Sequence, residues 1–204
     1  MKEKLLEKTE MTVSEGLAKL KLLDKRIRKA MTSEYVGYKI GNKVQENFES
    51  EKAKSNYQSL NDLMKYRSNL KMAINESNLK TKVKVAGKKM TVLEAIEYKT
   101  TIQYKKEFLE SVRRNYIQVQ QKIEYRNEET QERLDSQVKS AFEKASKKEI
   151  EDFTQTFLKN NSASLEDPLK IENLIESLDR EIDEFESEVD FVLSTSNATT
   201  VIKV

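Results

Sequence analysis

No cysteine and no histidine occur among the 204 residues. Without cysteine there is no disulfide framework and no thiol chemistry. Without histidine, the usual general base near neutral pH and the commonest metal ligand are both missing. Tryptophan is missing too, and proline occurs once and glycine four times. So few chain-breaking residues permit long uninterrupted helices. No apolar run approaches the roughly 20 residues needed to cross a bilayer. The opening stretch MKEKLLEKTE has no apolar core of the kind a signal peptide carries. A cytoplasmic protein with no membrane partner is therefore expected. Gly-rich phosphate loops, zinc-ligand spacings, Ser-His-Asp sets and nucleotide-fold fingerprints are not found either. The expectation is a non-catalytic chain with no cofactor and no metal.

What is abundant is charge. Charged residues make up 35% and hydrophobic residues 37%, with a formal net charge of +2. A compact globule usually has fewer charges and more apolar side chains. Such a composition also fits disorder, but apolar periodicity points to helices instead. The Lys-, Asn-, Ser- and Glu-rich usage looks like that of an AT-rich bacterium or its phage, an expectation by association alone.

Thr12 and Glu15 have capping-box spacing, in which each side chain satisfies an amide the helix leaves free. Val13, Leu17, Leu20, Leu23 and Ile27 then recur at steps of three and four, predicting a helix over 12–31. Val36, Tyr38 and Ile40 alternate beside Gly37 and Gly41, the pattern of a short strand or an ordered loop. A second helix is predicted over 51–78, with Tyr57, Leu60, Met64, Arg67, Leu70 and Ile74 on its inner face. Alternating Lys and Val at 82–85, with Gly87 following, mark 82–90 as β-prone.

Thr91 and Glu94 repeat the capping box and open a third helix, 91–158. Ile102, Leu109, Tyr116 and Ile123 are seven apart, with Val112 and Val119 between them, which is a coiled-coil-like seam. The stretch 126–133 is polar, leaving a bend or break there open. Asn160 to Ser164 reads as a linker, and Asp167-Pro168 as a cap with proline in the first turn. The last helix, 168–194, carries Ile171, Ile175, Leu178, Ile182, Phe185, Val189 and Val192. The tail 199–204 is β-prone, and pairing with Val83–Val85 would make a small sheet. The expected fold is mainly α. It is a single elongated helical domain over 1–204, a long antiparallel bundle of coiled-coil-like hairpins with a small β element at one end. Isolated helices are marginal in water, so the stripes must bury something. A homo-oligomer is the economical solution, most commonly a two-fold dimer.

Three clusters could carry chemistry. From Glu166 to Asp190 there are eleven acids against Lys170 and Arg180, a local charge of −9. The choice is between a cation-binding face and a solvated face pairing with lysines of neighbouring helices. The β-prone segment holds Lys80, Lys82, Lys84, Lys88 and Lys89 without an intervening acid. It could grip phosphate, or it could be an edge kept soluble by lysine. No nucleic-acid motif accompanies it, so nucleic acid is not the expected partner. Finally, Arg113, Arg114 and Arg126 share a helix with Tyr116 and Tyr125, and Arg67 lies on another. Arginine forks bind phosphate and tyrosine stacks on bases, so this set could line an inter-helix or inter-subunit pocket for an anionic nucleotide. Pairing with acids at the seam edges is the alternative.

Two stretches resemble a family of small bacterial helical proteins that carry the label septicolysin. One is Thr12-Val13-Ser14-Glu15-Gly16-Leu17-Ala18 leading into Leu22-Leu23-Asp24-Lys25-Arg26-Ile27. The other is Ile74-Asn75-Glu76-Ser77-Asn78 followed by Met90-Thr91-Val92-Leu93-Glu94-Ala95-Ile96. Tyr125-Arg126-Asn127-Glu128 and the segment from Ile182-Asp183 to Ser196-Asn197 are also similar. The family ends its last helix with Asn-Trp, whereas this chain has Asn197-Ala198 and extra sequence between Ser136 and Leu165. The resemblance implies a helical fold with a small β element between the second and third helices, and carries no active site over to this chain. Three roles follow as expectations: a helical binding or assembly protein that pairs with itself, a phage protein sequestering an anionic nucleotide-type signal, or a virion or tail component.

Overall fold

The computed structural model describes residues 10–45, 47–141 and 145–204. Along these residues the order is β1 (Glu10–Thr12), α1 (Val13–Met31), β2 (Lys39–Ile40), β3 (Lys43–Val44), α2 (Ser50–Lys80), β4 (Lys82–Val85) and β5 (Lys88–Thr91). Then come α3 (Val92–Ala141), α4 (Lys147–Asn161), α5 (Ile171–Thr199) and β6 (Val201–Lys203). The fold is mainly α, with small antiparallel strand pairs β1–β6, β2–β3 and β4–β5. Two compact units form: Met1–Thr100 with Glu184–Val204, and Thr101–Asp183.

Helix starts follow the capping chemistry. Thr12 Oγ1 accepts the Glu15 amide at 3.2 Å while the Glu15 carboxylate accepts the Thr12 amide at 2.8 Å. Thr91 and Glu94 do the same at the head of α3. These hydrogen bonds hold the Glu94 carboxyl below the usual glutamate range. Ser146 and Glu149 form a third such box before α4. Pro168 departs from expectation. It sits in a turn ahead of α5, which begins at Ile171, and the Asp167 carboxylate accepts the Ile171 amide at 2.9 Å.

In the first unit, α1 and α2 bury Val13, Leu20, Leu23, Leu70 and Ile74 with Met11 and Ile202 from the β1–β6 pair. Leu17 lies outside this core. The inward position belongs to Gly16 instead, where an added Cβ would lie 3.1 Å from Ile202 Cδ1 and 3.3 Å from Ile74 Cδ1. The tail therefore does not pair with Val83–Val85. Met11 opposes Ile202, and the Val13 amide reaches Thr200 O at 2.9 Å. The reason is twofold: Ile202 finds an apolar site in the α1–α2 core, and β4 is already paired to β5 through a two-residue turn whose closure costs little entropy.

The third helix also differs from expectation. The polar stretch 126–133 stays helical, and α3 ends at Ala141; α4 is separate. Local pairs such as Arg126–Glu129 and Gln131–Asp135 support it. More important, the polar face receives backbone from the 161–163 segment. Asn127 Nδ2 donates to Ala163 O at 3.1 Å and its Oδ1 accepts the Ala163 amide at 2.8 Å. Thr130 is buried, and its hydroxyl donates to Asn161 O at 3.4 Å. Polarity here serves a contact with chain that has lost its own helical partners.

The β4–β5 hairpin turns at Ala86 and Gly87, both with positive φ (47° and 74°). That is a type I′ geometry, which favours Asn-Gly because a Cβ at the first position is strained. The Glu188 carboxylate accepts the Ala86 amide at 2.7 Å and holds the turn in place. Ala86→Asn should raise thermal stability, by about 1 kcal/mol. A melting curve with an unchanged or lowered midpoint would refute this account of the turn.

Candidate functional site

Members of each of the three charged clusters pair within the fold. In the second unit, Arg113 pairs with Asp179 and with Glu110, and the Tyr116 hydroxyl donates to Glu172 at 2.8 Å. That last bond pushes the Tyr116 hydroxyl above its usual pKa. Lys105 pairs with Glu181. These contacts run along the flanks of the apolar seam, where Ile102, Leu109 and Val112 of α3 and Leu178 and Ile182 of α5 are buried. The acidic face of α5 is thus substantially used in pairing with α3. In the first unit, Lys99 holds Asp190 at 2.7 Å and Glu188 holds the hairpin turn.

Arg67 lies in the first unit. Its guanidinium grips Asp24 through both Nε and Nη2, and this fork holds the Asp24 carboxyl below its ordinary value. Arg114 is exposed. Tyr125 and Arg126 line a shallow depression of about 540 Å³ on α3 with Gln118, Gln121 and Lys122. Arg126 Nη1 donates to Glu129 at 2.8 Å, and the Tyr125 hydroxyl is pushed to higher pKa by the same carboxylate. An acid already engaging both groups opposes a phosphate there.

The hairpin lysines divide by face. Lys84 opposes Lys89 directly and Lys82 opposes Thr91, while Val85 is buried. Lys80 leaves this group to pair with Glu76 within α2. A like-charged pair directly across a ladder destabilises it modestly, while lysine on a two-stranded ribbon blocks edge pairing. Among the described residues no three acids gather into a metal-holding group.

A different surface stands out in the first unit. Between α1 and α2 the chain makes a β-hairpin, with Ile40 opposite Lys43 across a turn at Gly41 (φ 60°) and Asn42. Glycine at the first turn position fits type II′. Tyr35 anchors the entry, its hydroxyl donating to Ala30 O at 2.8 Å. Gly37 lies against the Phe48 ring so closely that an added Cβ would be 2.6 Å from Phe48 Cδ1. Tyr35, Val36, Gly37 and Phe48 face Ser50, Ala53, Lys54, Tyr57 and Leu60 of α2 across an open groove of about 700 Å³. Its lining is mainly aromatic and aliphatic, with Ser50 and Lys54 the polar members. The Lys54 amine at its edge is paired with Glu51 at 2.8 Å. Beside it, Val36 is 84% exposed, Tyr38 64%, Ile40 77% and Tyr57 60%.

The alternation of Val36, Tyr38 and Ile40 is visible in the sequence, but the helical period of α2 points Tyr57 inward, whereas it is 60% exposed, and Phe48 carries no signal. No described helix is long and apolar enough to cross a membrane. Compared with known proteins, the chain matches no family model, no curated protein and no solved structure.

Proposed function

We propose that the chain is a non-catalytic binding and assembly protein that works through the apolar surface around the β2–β3 hairpin and the first turns of α2. One observation carries this reading: Val36 and Tyr57 line an open, mainly apolar groove and are more than half exposed, as are Tyr38 and Ile40, which follow Val36 in the chain. Single exposed apolar residues are ordinary, whereas contiguous ones at a groove mark an interaction site. The groove offers little for chemistry, since its one amine is already paired. The coiled-coil-like seams support the same choice by exclusion. Ile102, Leu109, Leu178 and Ile182 are buried within one copy, so assembly needs another surface.

The test is native mass spectrometry on gently purified protein, with light scattering across a concentration series. The wild type should form a species heavier than one chain, and Val36→Asp with Tyr57→Asp should return it to one chain. A wild type that stays a single chain without a bound partner would refute the reading. So would a double variant that assembles like the wild type.

A further inference from the structure

We propose that the occupant of this surface is a second copy of the chain, joined by antiparallel pairing of residues 36–40 with the same residues of the copy about a two-fold axis at Tyr38. This rests on the docking reading above and adds a partner and a register to it.

The backbone of the segment limits the register. Tyr35 donates to the Ala30 carbonyl and Gly37 lies against the Phe48 ring, and every residue from 36 to 40 is exposed. Tyr38 O accepts the Gln45 amide at 3.2 Å, and Ile40 opposes Lys43 across the two-residue turn. In an antiparallel ladder, alternate residues direct their N–H and C=O to opposite edges. Tyr38 and Ile40 therefore face β3, and Gly37 and Lys39 present their polar groups at the outer edge. A two-fold axis at Tyr38 sets Gly37 against Lys39 of the copy. These are the residues whose donors and acceptors point outward, so they form the hydrogen-bonded pair. An axis midway between two residues would set one of these against a residue already bonded to β3; axes through Gly37, Tyr38 or Lys39 all satisfy the backbone, and the side chains choose among them.

The side chains fit the same register. Val36 meets Ile40 of the copy twice, and Tyr38 meets Tyr38, so the apolar row neighbours an identical apolar row. Charge selects the direction. Glu34 precedes the row, and Lys39 and Lys43 follow its first half and its end. Antiparallel pairing sets the acid end of one copy beside the basic end of the other, and parallel pairing would bring like charges together. A two-fold contact is self-complementary and closes at two copies.

A chain without cysteine gives a clean crosslinking background. Residues opposite each other at a non-hydrogen-bonded position have Cα atoms about 4.5 Å apart, within disulfide reach. Val36→Cys and Ile40→Cys residues would each lie about 13 Å from their equivalents, by strand rise. Under mild oxidation Tyr38→Cys should form a covalent dimer, and Val36→Cys or Ile40→Cys alone should not. The double variant Val36→Cys with Ile40→Cys should crosslink again. Lys39→Pro removes an outward amide without touching a bond to β3. It should weaken association about tenfold or more, equivalent to about 1.4 kcal/mol, with the helical circular dichroism unchanged. Lys39→Ala should not weaken it. Equal crosslinking at 36, 38 and 40 overturns the pairing, as does a Lys39→Pro protein that dimerises like wild type. Either result leaves the docking reading intact if Val36→Asp with Tyr57→Asp still abolishes assembly. If that double variant also assembles normally, both readings fall.

Discussion

Phe185→Ala should destabilise the first unit by about 3–5 kcal/mol, the range for emptying a large aromatic site. Phe185 is among the largest fully buried side chains, at 1% exposure. Its ring meets Tyr98 edge-on with centroids 4.9 Å apart and planes at 71°. Edge-to-face pairs add stabilisation beyond area. Truncation would remove the ring, its partner's contact and the filling of the site between α3 and the C-terminal half of α5. Neighbouring features depend on that half of α5: Asp190 holds Lys99 and Glu188 holds the Ala86 turn. Urea unfolding followed by hydrogen exchange separates the two units, and loss of protection should concentrate in the described residues of the first unit, 10–45, 47–100 and 184–204. Phe185→Leu, which refills much of the volume, should cost clearly less. If Phe185→Ala shifts the midpoint no more than an exposed substitution such as Phe191→Ala, the site is not the core element described.

Phe185 also shows which parts of the structure could be read in advance. It falls in the seven-apart pattern of Leu178, Ile182, Phe185 and Val189, all four of which are buried. Where a helix buries one face, period alone marks the core, and the Thr-x-x-Glu boxes mark its start. Period fails where packing is decided by a distant partner. Leu17 fits the α1 stripe, yet Gly16 takes the inward place because Ile202 and Ile74 crowd against it. Local polarity is similarly ambiguous. Asn127 and Thr130 look like a break, but the break and a polar surface that binds passing backbone have the same composition. The tail's strand character was legible, and its partner was not, since β1 is only three residues long.

The candidate sites repeat this division. Arginine and tyrosine spacing on α3 identifies residues that can reach an anion, but not whether an acid has reached them first. Arg113 meets Asp179 and Tyr116 meets Glu172, both on a helix whose acidity was itself plain in the sequence. Arg113 and Tyr116, two residues of the candidate ligand set, thus bond to the acidic face that the sequence presents as a separate feature. The groove beside α2 had half a signal. Three alternating apolar residues were visible, while the inner wall depends on Phe48 meeting Gly37 from eleven positions away.

That contact gives the second large effect, expected for Gly37→Ala. The added methyl would lie 2.6 Å from Phe48 Cδ1 and 3.0 Å from Phe48 Cβ, distances no relaxed side chain keeps. Phe48 is the base of the chain's return into α2, so its ring cannot rotate away without altering the wall shared by Tyr35, Val36 and Gly37. Overpacking of this kind costs about 1–3 kcal/mol. Because Tyr35 and this ring tie the hairpin to the rest of the first unit, the expected outcome is local. Amides of residues 33–45 should exchange faster, the helical circular dichroism should hold, and assembly should weaken alongside the loss of order. Phe48→Ala in the same background should relieve the overlap and return the exchange rates of 33–45 toward those of Phe48→Ala alone. Exchange that is unchanged in Gly37→Ala would mean the ring is not what seats the hairpin. Assembly that persists once the hairpin is loosened would show that the ordered row of Val36, Tyr38 and Ile40 is not the surface that binds.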